Sequence, residues 1–131
     1  MKSVVLCYNL RDTKKGRKIA MIFASLGYRV RHVEKGDYGQ PIGVLAGADS
    51  KPDEKKIVYD GEGFSDEMLV MYAEKQQMFD RALMMMRKEK SVVDLKAVLT
   101  ETNSNWDSIR LHEELMQEHQ YMTEQKGIRK H

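Results

Sequence analysis

Val4-Val5-Leu6-Cys7 and Met68-Leu69-Val70-Met71 are short runs with no polar residue on either face. Side chains of a strand alternate between the two sides of its sheet, so a run that is apolar throughout must be sheltered on both. The two runs therefore predict two inner strands of one sheet, with a cover needed above and below. Architecture follows from this pair. A reaction does not.

Working outward, residues 3–9 read as the first strand, followed by a helix over about 13–26 that Asp12 or Thr13 can cap. Ile19, Ile22, Phe23 and Leu26 form its apolar stripe, and Gly27 sits where helices end. Tyr28 to Val33 alternates polar and apolar residues, which suits a second strand with one wet face or at an edge. Residues 36–66 are broken by Gly36, Gly39, Pro41, Gly43, Gly47, Pro52, Gly61 and Gly63. This stretch reads as an irregular linker, the least ordered part of the chain, with one helical turn near Pro41–Leu45. The second apolar run follows at 67–73, then a helix at about 75–89 with Phe79, Ala82, Leu83 and Met86 on its stripe. A fourth strand at 94–100 and a C-terminal helix at 104–122 complete the order, with Ser104 or Asn105 as the expected cap.

Two strand–helix–strand units with the first and third strands innermost predict an α+β, ferredoxin-like βαββαβ sandwich of strand order 4-1-3-2, with a long linker and an extra C-terminal helix. Both crossing helices then share one face of the sheet. The other face would expose an apolar patch of several hundred Å². Either the last helix with Trp106 covers it or a second copy of the chain does. Both answers stay open at this point.

At 131 residues the chain reads as one domain, 1–131, able to bury about two-thirds of its unfolded surface. Charge is nearly balanced overall but segregated along the chain. Residues 1–35 hold nine basic against two acidic side chains, and residues 91–125 hold two against seven. Solvated faces of opposite sign account for this; a basic 11–35 surface for an anion or nucleic acid is the sharper alternative. The single Cys7 excludes an internal disulfide and, inside an apolar strand, is expected to be a buried hydrophobe. No stretch approaches a membrane span or a signal peptide, so the expected setting is the cytoplasm.

Candidate chemistry is sparse. The loop entering the first helix offers Asn9, Thr13, Lys14, Lys15 and Arg17 to a small anion at a helix N-terminus, though without P-loop glycine spacing. His112 and His119 lie seven residues apart, about 10 Å along a helix, too far to share one metal ion. They fall on the same arc as Ile109, Leu115 and Met116, which marks that arc as a packing or interface surface. Base stacking on the sheet is not expected, because the inner strands present aliphatic and Met side chains where RNA-recognition domains carry aromatic rings. No nucleophile–base pair, paired carboxylates, cofactor fingerprint or metal set stands out.

The run Leu95-Lys96-Ala97-Val98-Leu99-Thr100-Glu101-Thr102-Asn103-Ser104-Asn105-Trp106, followed by Leu111, Glu114, Leu115 and Glu118, resembles the small bacterial family called domain of unknown function 3783. Gln40 to Leu45 and Met68 to Met71 share in the resemblance. It implies no activity, cofactor or partner. Physically, Thr100, Asn103, Asn105 and Trp106 form either a structural corner or a small polar pocket at a strand's carboxyl end. The expected function is a small non-catalytic binding or regulatory module that acts as a homodimer or with a protein partner or small ligand. An anion or nucleic-acid binder and a small-molecule enzyme are the alternatives.

Overall fold

The computed structural model describes residues 1–47 and 58–129. Its order is β1 (Val4–Tyr8), α1 (Lys14–Ser25), β2 (Arg29–His32), α2 (Ile42–Leu45), β3 (Met68–Tyr72), α3 (Gln76–Lys88), β4 (Leu95–Val98) and α4 (Ser108–Arg129). The expected mixed architecture holds, and β1 and β3 are the inner strands. All of β1, and β3 from Met68 to Met71, is at most 2% exposed.

The strand order differs from 4-1-3-2: it is β2-β1-β3-β4. β2 lies parallel beside β1, β4 lies parallel beside β3, and β1 meets β3 antiparallel. The reason is visible at the end of α1. Gly27, at φ 94°, closes the helix in the left-handed conformation, and Tyr28 N–H returns to the Phe23 carbonyl at 3.0 Å. Arg29 N–H already bonds the Ser3 carbonyl at 3.0 Å. Chain that enters the sheet this directly has no slack to step over an intervening strand, which needs about 4.8 Å more. Two unsplit strand–helix–strand units result, joined along β1 and β3 with Leu6 opposite Val70 at the centre.

One face of the sheet, with Val5, Cys7, Leu69 and Met71, packs on α1 and α3 through Ile19, Ile22, Phe23, Ala82 and Met86. The other face, with Val4, Leu6, Tyr8, Met68 and Val70, is covered within the chain by Val33, Tyr38, Ile42, Leu45 and Leu111. Tyr59, Phe64 and Trp106 pack on the same cluster. Part of the expected linker therefore serves as a strap over the sheet; its residues 48–57 lie outside the described residues. The face that needed a cover has one, which removes that reason for expecting a second copy.

The C-terminal helix starts later than the expected 104–122. Asn103–Asn105 form a 3₁₀ turn and Trp106 is extended, at ψ 151°. The cap is Asp107, whose Oδ1 accepts from Arg110 N–H at 2.8 Å, rather than Ser104 or Asn105. Leu111 is buried, while residues 116–122 are exposed, so α4 leaves the body of the domain after its second turn.

Candidate partner-binding groove

Edge strands present unpaired backbone groups, and proteins blunt them. At β4, Leu99 N–H bonds the Met71 carbonyl at 2.8 Å, so the odd-numbered residues face β3. Successive residues of a strand point their N–H and C=O groups to opposite sides, which turns Lys96, Val98 and Thr100 outward. Asn103 takes two of these groups. Its Nδ2 donates to the Val98 carbonyl at 3.0 Å and its Oδ1 accepts from Thr100 N–H at 2.8 Å. That pair of bonds is what a residue of a parallel neighbouring strand would make. The Asn103 carboxamide thus stands in for one residue of a fifth strand and closes the carboxyl end of the edge. Thr100 Oγ1 returns the favour by accepting from Asn103 N–H at 3.1 Å.

Among the described residues, the outward groups left over are the N–H and C=O of Lys96 and the N–H of Val98. They border a groove of about 340 Å³ between β4 and α4, whose other walls include Trp106, Leu115, Glu114 and Glu118. Lys96, Ala97 and Val98 all line it. Consecutive strand side chains point to opposite faces, so all three can line one groove only along the backbone edge. Trp106 is held firmly: its carbonyl accepts from Ile42 N–H at 2.9 Å, its N–H bonds the Asn103 carbonyl at 3.0 Å, and the Arg110 guanidinium lies 4.2 Å from the ring centroid. Lys96 Nζ turns away to the Val93 carbonyl, and burial lowers its pKa.

The residues expected to form a polar pocket or corner therefore come together, with Asn103 as a satisfied structural amide and Trp106 as a groove wall. Thr100 contributes backbone and hydroxyl to the corner; Asn105 is exposed. Of the expected interface arc, Ile109 and Leu115 pack partly on the core, and Met116 and His119 are exposed. His112 lies against the strap: its Nε2 is 2.9 Å from Asp66 Oδ2 and its ring stacks on Phe64 at 3.9 Å. Asn9, at φ 61°, donates to the carbonyls of Phe64 and Asp66 and locks the same corner.

The expected anion residues are placed as follows. Thr13 caps α1, accepting from Gly16 N–H at 2.9 Å and donating to the Leu10 carbonyl at 2.8 Å. Lys15 pairs with Glu67 at 2.7 Å, while Lys14 and Arg17 are exposed. Elsewhere on the basic 11–35 surface, Arg11 pairs with Glu34, and Arg29 and Arg31 donate to the carbonyls of Ala46 and Leu45. Ser108 Oγ is buried and bonds Tyr8 OH at 2.7 Å. Burial pushes the Cys7 thiol up to about 12, so it stays protonated at neutral pH. Among the described residues no helix is long and apolar enough to cross a membrane.

Sequence reasoning missed the strap residues Phe64 and Asp66 and the amide plug. The only local signal for the plug is a Thr followed three residues later by an Asn just past a strand.

Fold and groove define a four-stranded mixed α/β domain with one edge strand plugged at its carboxyl end and open before it. Residues 67–122, spanning β3 to the exposed part of α4, match the model of Domain of unknown function (DUF3783), the family that this chain resembles. No curated protein and no solved structure matches the chain.

Proposed function

We propose that the chain is a non-catalytic binding module of the bacterial cytoplasm that docks a polypeptide partner in the groove between β4 and α4. One observation carries this reading: a groove walled by Trp106, Leu115 and two glutamates runs along backbone groups that lack strand partners among the described residues. Small-molecule sites are usually enclosed and offer a few convergent polar groups. This groove instead offers an edge and an exposed helix face, which suit a chain better than a compact ligand. The basic 11–35 surface supports the anion alternative less well, because Arg11, Lys15, Arg29 and Arg31 already have partners.

A photo-crosslinking residue placed at Glu118, on the groove, is compared in cells of the source with one at Met21, on the outer face of α1. The expected result is discrete adducts from position 118 alone. Adducts from position 21 alone would move the docking surface to the helix face and overturn the reading.

A further inference from the structure

We propose that the occupant is an extended basic segment of a partner protein that adds to β4 as a fifth strand, its backbone pairing with Lys96 and Val98 and two of its Lys or Arg side chains meeting Glu114 and Glu118. The inference rests on the docking reading above and specifies its partner. Three observations converge on it.

First, the groove wall is a backbone edge, and the side-chain amide of Asn103 already imitates a strand partner at the next position along it. The local geometry therefore accepts strand-type hydrogen bonds, and the plug sets where an added strand must stop. Second, the α4 wall contributes Glu114 and Glu118, whereas the Lys96 ammonium bonds Val93, and neither glutamate has an ion pair among the described residues. Third, the spacings agree. Residues i and i+4 of a helix are about 6 Å apart along its axis, and residues i and i+2 of a strand, which share a face, are about 6.6 Å apart. Two basic side chains at i and i+2 of the added strand fit both glutamates.

A second copy presenting its own β2 is the competing occupant, since Arg29 and Arg31 have the same spacing. Their guanidinium groups are engaged with the Ala46 and Leu45 carbonyls in their own chain. A symmetric pairing of two β4 edges would bring the acidic α4 walls together. A separate basic segment avoids both costs.

The probe is the peptide acetyl-Thr-Lys-Val-Lys-Val-Thr-amide, read by fluorescence of Trp106, the only tryptophan in the chain. Saturable binding is expected, at least tenfold tighter than for the same peptide with Glu in place of Lys or with the two Lys adjacent. Val98→Pro removes an outward N–H, the kind of edge position where proline is tolerated. It is expected to weaken binding at least tenfold while circular dichroism stays unchanged. Should that variant not fold, Glu114→Lys with Glu118→Lys is expected to cause a loss of the same size.

Binding that ignores both sets of substitutions overturns the inference. So does concentration-dependent self-association of the chain alone that Arg29→Glu and Arg31→Glu abolish, because the second copy is then the occupant. Peptide failure with position 118 still crosslinking refutes the basic strand and leaves the docking reading standing. Failure of both refutes the docking reading itself.

Discussion

The two strand–helix–strand units of this domain share a core and differ at every turn. In the first, Thr13 caps α1, Gly16 lets the helix start press against the Leu10 carbonyl, and Gly27 ends it in the left-handed conformation. In the second, Lys75 gives α3 no side-chain cap, Met78 stands where Gly16 stands, and Lys90 takes the left-handed position at φ 53°. Both helices nevertheless close with the same bond, Tyr28 N–H to the Phe23 carbonyl and Ser91 N–H to that of Met86. The first unit is tightly built and carries the strap. The second tolerates local cost and carries the open edge, the groove and the whole of the family match.

The sharpest way to break this contrast is Gly16→Ala. A Cβ there would lie 1.8 Å from the Leu10 carbonyl oxygen, which is backbone and cannot yield cheaply. We expect a loss of about 3 kcal/mol in urea unfolding. Met78→Ala, at the matching position of α3, should cost no more than about 1.5 kcal/mol. Equal losses would mean that the two helix starts are equivalent.

Asn103→Ala comes next. It removes both bonds of the plug and leaves the Val98 carbonyl and Thr100 N–H to solvent; at about 1 kcal/mol per hydrogen bond the cost is about 2 kcal/mol. It also lengthens the open edge, so light scattering should rise at high concentration. An unchanged midpoint would reduce the plug to a surface contact.

Lys90→Gly should go the other way. A non-glycine residue in the left-handed region costs about 1 kcal/mol, which glycine relieves. A gain of that size would bring the end of α3 level with the end of α1; no gain would show that Lys90 compensates locally.

The smallest effect concerns alkaline pH. Burial raises the pKa values of Cys7, Tyr8, Tyr28 and Tyr38, all in the first unit or its strap. The unfolded chain gives up those protons first, from 9.0 for the thiol and 10.0 for the phenols, so stability should fall as pH climbs past these values. Lys96, the shifted group of the second unit, works oppositely: its pKa is lowered by burial, and its contribution rises with pH up to 10.5. Tyr28 OH is buried without a hydrogen-bond partner among the described residues. Tyr28→Phe should therefore stabilise by about 0.5 kcal/mol at pH 7 and flatten the alkaline decline, as urea midpoints from pH 7 to 10.5 will show.

The inner strands were legible because Val4–Cys7 and Met68–Met71 have no polar side, and the helices because their stripes repeat at helical spacing. Strand order was not, since 4-1-3-2 and 2-1-3-4 share the same inner pair; only the short return through Gly27 and Tyr28 separates them. Tyr38, Ile42 and Leu45 were hidden as core residues because a strap needs no periodicity. Of the candidate site, the corner from Thr100 to Trp106 was readable as polar turn and aromatic anchor. That Asn103 imitates a strand was not, because the Val98 carbonyl and Thr100 N–H it satisfies are backbone groups that every sequence carries.

The junction of the two units has a kinetic consequence. Leu6 pairs with Val70, 64 positions later in the chain. At a ribosome adding about 5–20 residues per second, this fully buried strand emerges roughly 3–13 s before its main partner exists. Throughout that interval one flank of β1 is unmatched, and the nascent chain must keep an apolar ribbon from misjoining until β3 arrives.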